Sequence, residues 1–131
     1  MSEPVFLRIE QVGKLHRDGL AEYGGSDGVR DAAGLESAVM HPQNVYFYGS
    51  GDLFEIAAAY AFHIAEAQAF IDGNKRAAAS SALAFLRING VNIDFDSMPA
   101  LHEAMIAIAN RWMDKRGLAE VLRRLSGAGS R

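Results

Sequence analysis

Residues 70–76 read Phe70-Ile71-Asp72-Gly73-Asn74-Lys75-Arg76, and they place two fixed cations at what the flanking pattern makes the start of a helix. That is electrostatically unfavourable for a free helix. The first turn exposes unpaired backbone N–H groups and the positive end of the macrodipole, so acidic residues are favoured there and Lys or Arg are not. A bound anion reverses the sign. Gly73 allows close approach to the backbone, Asn74 is a candidate cap, and Lys75 and Arg76 offer charge-assisted donors, which together describe a phosphate site at a helix N-terminus. Asp72 beside such phosphates suits Mg2+, which takes carboxylate and phosphate oxygens. On these residues alone, an ordinary Asp-Gly-Asn turn with two solvated cations stands beside the phosphate site as a reading.

Outward from this loop the pattern is almost wholly helical. Upstream, Asp52 caps an expected helix running to about Gln68, and its alanines 57, 58, 59, 61 and 65 allow close packing, so this helix should be central. Downstream, residues 74–89 form another, with Ala78, Ala82, Leu83, Phe85 and Leu86 inward and Gly90 at its end. Leu7, Ile9, Val12, Leu15, Leu20 and Tyr23 predict a first amphipathic helix stopped by Gly24-Gly25. A short helix around residues 35–40 should end before Pro42. Residues 43–51 then read as an aromatic loop. Val91-Asn92-Ile93-Asp94-Phe95 alternates like a short strand, too isolated for a sheet unless it pairs with an early segment. Ser97 or Pro99 opens a helix to about Met113, residues 117–125 form the last, and 126–131 should fray. The expectation is an all-α bundle of about six helices with a small β-hairpin or extended flap.

Composition fits that setting. The chain has 131 residues, half of them hydrophobic, with a net charge of -3, which predicts one domain over 1–131 with its own core. The weakly acidic balance excludes general nucleic-acid affinity, so any phosphate binding is local. The absence of cysteine removes thiol nucleophiles and thiolate metal sites and is compatible with a cytoplasmic location. Met1-Ser2-Glu3-Pro4 lacks signal-peptide features. The most apolar run, 56–71, contains His63 and Glu66 and is too short and polar for a membrane span.

With its apolar helix, Phe-x-Asp-Gly-Asn-Lys-Arg loop, Ala-rich second helix and Phe85-Leu86-Arg87-Ile88-Asn89-Gly90 ending, the region 52–90 resembles the Fic/Doc fold, and its small Doc (death-on-curing) toxin branch in particular. Glu22-Tyr23-Gly24-Gly25, Val29-Arg30-Asp31, Leu35-Glu36-Ser37-Ala38 and Leu122-Arg123-Arg124-Leu125 also look Doc-like, so the likeness covers nearly the whole chain. The resemblance implies a toxin of an addiction module that uses ATP and Mg2+ to modify a hydroxyl of a translation protein. Fic relatives typically transfer AMP, whereas Doc itself phosphorylates elongation factor Tu. It implies Mg2+ on Asp72, phosphates on Gly73, Asn74, Lys75 and Arg76, Phe70 as the anchor of the loop, and a Phd-like antitoxin as partner. The antitoxin groove is expected on the outer face of the Ala-rich helix with the first helix.

One position departs from the family pattern. Where the motif begins with His, two residues before Phe70, this chain has Gln68, followed by Ala69 in place of Pro. A Gln amide does not titrate near neutral pH and can only orient by hydrogen bonding, so the usual general base is missing. Three readings are compatible: phosphoryl transfer that depends on positioning more than on a base, a binding-only variant, or a substitution introduced to blunt toxicity. His63, about 140° around the helix from Gln68, is a core or groove residue and no replacement. His16 falls in the polar part of the first helix, and neither His41 nor His102 has a metal-ligand spacing. Arg30 is a candidate for supporting the site, as against a surface ion pair. Tyr46, Phe47 and Tyr48 read either as a covering flap or as a loop pinned to the core, and Trp112-Met113 as a packed helix end.

Overall fold

A computed structural model describes residues 3–127. Six helices follow in order: α1 (Ile9–Tyr23), α2 (Ala32–Phe47), α3 (Leu53–Ala67), α4 (Asn74–Ile88), α5 (Met98–Ala109) and α6 (Lys115–Leu125), with one 3-10 turn at Phe95–Ser97 before α5. The fold is all-α, as the periodicity predicts.

α3 lies at the centre with α4, α2 and α6 packed around it. Its start is fixed by a reciprocal cap, in which Asp52 accepts from the Glu55 N–H and Glu55 accepts from the Asp52 N–H. Ala57, Ala58, Ala59 and Ala61 are fully buried beside Ile56, Tyr60 and Ile64. The small side chains let α3's own neighbours approach closely, and that overturns the expected antitoxin groove: the face assigned to a partner helix is already covered by this chain. The Tyr60 hydroxyl accepts from the Leu7 N–H at 2.9 Å, clamping the N-terminal segment, and burial pushes its phenol pKa up to about 12 against a smaller opposing effect of that bond. No helix among the described residues is long and apolar enough to cross a membrane.

The largest difference from the sequence reading lies in α2. The helix does not stop before Pro42 but carries the proline inside and continues through Phe47. A proline in a helix interior costs about 3 kcal/mol. Burial of Leu35, Ala38, Val39 and Pro42 on one face offsets it, together with packing of the Tyr46 and Phe47 rings on Phe6. Those two aromatics therefore belong to the last turn of a helix and not to a loop or flap, and only Tyr48 is left free in solvent at 86% exposure.

Residues 91–94 form no strand, because the early segment near them is held instead by Asn89, whose side chain both accepts from Val5 N–H and donates to Val5 O. α5 ends at Ala109, short of Met113. Neither a β-hairpin nor the flap expected of Tyr46, Phe47 and Tyr48 is found among the described residues; instead residues 24–31, which the sequence does not single out as a flap, run alongside the motif loop and pair with it at a single bridge between Val29 and Phe70. The fraying expected of 126–131 falls for residues 128–131 outside the described residues, while Ser126 bonds back to Arg123 O and Leu122 O.

Candidate active site

α3 ends at Gln68, which adopts the left-handed conformation (φ 51°, ψ 37°) that redirects the chain. Ala69 and Phe70 are buried immediately after it, each at 1% exposure. Gly73 (φ 77°) caps α4, a conformation that glycine takes without strain. Asn74 is the first residue inside the helix rather than its cap. Its side chain is engaged with the loop, accepting from Phe70 N–H and donating to Phe70 O at 3.0 Å each, while its backbone N–H lies in the first turn of α4.

The extended segment 24–31 acts as a strap on this loop. Ala69 O accepts from the Arg30 and Asp31 N–H groups, and Gly28 O accepts from Ile71 N–H. The Arg30 guanidinium donates to Gln68 O at 2.7 Å, and Ser26 N–H reaches the Asp72 carboxylate at 3.3 Å. Gly25 takes φ 121°, which favours glycine, and a Cβ there would stand 2.8 Å from the Asp72 carboxylate and 2.9 Å from Leu20, so that both side chains would have to shift. Of the two readings of Arg30, no ion pair is found among the described residues, and its guanidinium bonds the backbone at position 68. The strap itself was legible only as a Gly-rich stop after α1.

Gln68 and Lys75 line one cleft of about 880 Å³, closed on the far side by Phe62, Trp112 and Met113 from α3 and the α5–α6 turn. Both are exposed, and among the described residues the Lys75 ammonium has no partner. Trp112, expected to pack a helix end, is instead 78% exposed at the cleft, next to Arg111 with its positive φ of 62°. The first turn of α4 contains no acidic residue, so its orphan N–H groups and Lys75 present a positive end to the cleft. Arg76 points away from it. Its guanidinium donates to Gly19 O at 3.1 Å and to Gly24 O, and lies 5.2 Å from the Tyr23 ring centre. The second cation of the motif is thus compensated by the carbonyl end of α1, a contact that spacing along one segment could not reveal.

Sequence reasoning missed His16. Far from lying in a polar part of α1, it is 3% exposed, stacked on Phe70 at 3.8 Å between ring centres, with Nε2 2.7 Å from Asp72 O. The only available signal was its place four residues after Val12 and four before Leu20, on the apolar stripe of α1. His63 does lie away from the motif, as its angle on α3 predicts. Its ring stacks on His41 at 3.9 Å and its Nε2 accepts from Lys115 Nζ at 3.1 Å. Burial above all, then the charges of His41 and Lys115, lower its pKa to about 4. No cluster of three or more His, Cys, Asp or Glu side chains able to hold a metal occurs among the described residues.

The model of the Fic/DOC family matches residues 6–86. The chain is 38% identical over 120 residues to the protein kinase Doc of Escherichia phage P1, covering 91% of this chain and 94% of that one. It is also 38% identical over 108 residues to the toxin Doc of Mycolicibacterium smegmatis, covering 79% and 82% respectively. The family match contains the strap, the motif loop and most of α4.

Proposed function

Because this chain belongs to the Fic/Doc family, we propose that it is a Doc-like toxin of a toxin–antitoxin module, acting in the cytoplasm as an ATP- and Mg2+-dependent transferase on a hydroxyl of a translation protein. The observation that carries this reading is the partnerless Lys75 at the acid-free N-terminus of α4, opening on the same cleft as Gln68. Phosphoryl transfer to elongation factor Tu is favoured over AMP transfer on two grounds. One relative is named a protein kinase. The residue at the motif's first position is Gln68, and transfer of a phosphoryl group through a loose transition state depends on positioning and charge more than on a strong base.

The residues present fit ATP and Mg2+. Asp72 is a single exposed carboxylate, as expected where the cation is shared with phosphate oxygens and not held in a cage built by the protein. Its orientation is set in advance by Gly73 N–H at 2.8 Å and Ser26 N–H. When bound, the magnesium nucleotide supplies the transferable group and a neutralised leaving phosphate. The chain's own part is to hold the phosphates on Lys75 and on the Asn74 N–H, the Gly73 N–H joining them only by leaving Asp72 Oδ1, to orient the attacking hydroxyl through the Gln68 amide, and to keep the loop from yielding. Arg76 serves the phosphates only by leaving its carbonyl partners; otherwise it braces α1 against α4.

Incubation with elongation factor Tu and ATP labelled in the γ or the α position tests the reading. Transfer of γ label supports the kinase, transfer of α label makes the chain an AMP transferase, and no transfer by either this chain or its Gln68→His variant leaves a Fic-fold binding protein. An antitoxin partner follows from the same reading, on a face other than that of α3. Met40, Phe47 and Tyr48 line one shallow depression at the end of α2 and leave apolar surface open to such a partner.

A further inference from the structure

We propose that His16 is a positioning residue for the motif loop: its Nε2–H donates to the Asp72 carbonyl, and this bond sets both the direction of the Asp72 carboxylate and the entry of the chain into α4. The inference rests on the site reading above.

The proton assignment follows from chemistry. A carbonyl oxygen only accepts, so at 2.7 Å Nε2 must be the donor. Nδ1 then faces Asp27 Oδ1 at 4.0 Å, on the strap. The ring itself lies flat on Phe70, with an interplanar angle of 7°. One side chain of α1 therefore touches the anchor of the loop, its turning residue and the strap.

The peptide between Asp72 and Gly73 is the pivot. Its C=O is held by His16, while its N–H is held by Asp72 Oδ1 at 2.8 Å, the other carboxylate oxygen receiving Ser26 N–H. With the plane fixed, the carboxylate has one direction left to offer a cation, and Gly73 enters α4 at φ 77°. Gly73 also lies close against the imidazole edge, with 3.6 Å from the place its Cβ would take to His16 Cδ2 and Nε2. No other side chain among the described residues bonds the Asp72 carbonyl. His16 does not replace the absent motif histidine as a base, because it is 3% exposed and its Nε2 is already engaged.

Two variants separate the donor from the ring. His16→Phe keeps the stack on Phe70 and loses the donor, and His16→Gln keeps a donor without the stack. In His16→Phe the melting temperature should fall little, the Gly73 amide resonance should shift and exchange faster with solvent, and affinity for ATP with Mg2+ by calorimetry should drop roughly fivefold to tenfold, the weight of one lost hydrogen bond. His16→Gln should recover most of that affinity. Equal losses in both variants, or an unmoved Gly73 amide in His16→Phe, would overturn the proposal. A measurement on the unaltered protein needs no variant: scalar coupling across the hydrogen bond between His16 Nε2 and the Asp72 carbonyl carbon. An unprotonated Nε2 without that coupling would equally sink it. Should the unaltered protein fail to bind ATP at all, the functional reading falls, while the amide and coupling measurements still decide the role of His16.

Discussion

The Arg30 guanidinium donates to the carbonyl oxygen of Gln68 at 2.7 Å, joining the strap to the residue that caps α3 across 38 residues of sequence. The carbonyl belongs to the left-handed residue where the helix has run out of N–H partners, so a cation there also complements the helix end. Arg30→Ala should lower stability by only about 1 kcal/mol, because both groups are exposed, yet reduce transfer activity by more than that loss explains. Thermal melts beside single-turnover rates separate the two effects. Equal losses would make the bond a stabiliser and nothing else.

The two motif cations should behave oppositely. Lys75→Ala should weaken ATP binding while leaving the melting temperature unchanged or slightly raised, since a partnerless cation at a helix N-terminus is unfavourable in the free protein. Arg76→Ala removes donors to Gly19 and Gly24 and should cost about 1–2 kcal/mol of stability. Calorimetric binding and denaturant titrations on both variants check this. A stability gain in Arg76→Ala would contradict the assigned contacts.

Asn74 holds both backbone groups of Phe70, so Asn74→Ala strands two partly buried polar groups and should cost about 2–4 kcal/mol. Asn74→Asp keeps the acceptor and loses the donor, and should fall between. Urea unfolding of the three proteins gives the order.

At position 68 a histidine should raise transfer by up to about 10²–10⁴-fold if it acts as a base, with the fold unchanged, because His tolerates the left-handed backbone. Rates equal to those of the Gln68 protein would mean that this position needs no general base.

His63 makes stability depend on pH. In the unfolded chain it titrates near 6.5, and in the folded chain only near 4. Between these values the unfolded state binds more protons, so the neutral imidazole's contribution is complete above pH 6.5 and is lost as pH falls towards 4. Allowing for its partial exposure, about 1–2 kcal/mol should disappear over that window. His63→Leu should flatten the slope, and an unchanged pH profile would place the acid sensitivity in other groups.

Most of the helices were legible because apolar residues recur at helical spacing, as Ala78, Ala82, Phe85 and Leu86 do in α4, and because Asp52 marks the start of α3. What was not legible depends on contacts between distant segments. Nothing local to Pro42 says that burial of its ring will offset its missing N–H, and nothing near Ala57–Ala61 distinguishes room for a partner from room for α2, α4 and α6. Gly73 and Lys75 let the motif loop be read as a candidate anion site. It could not announce that Arg76 faces the carbonyls of α1, or that His16 lies beneath Asp72, since those partners stand 57 and 56 residues away.

The strap also fixes when the site can exist during synthesis. Every tie from α1 and residues 24–31 to the motif loop and α4 described above joins an early donor or acceptor to a late one, over 38 to 57 residues. At translation speeds of about 5–20 residues per second, α1 and the strap leave the ribosome a few seconds before the loop they hold. A nascent chain that stops before α4 has therefore made α1 and the strap but not the Arg76 that braces α1 against α4.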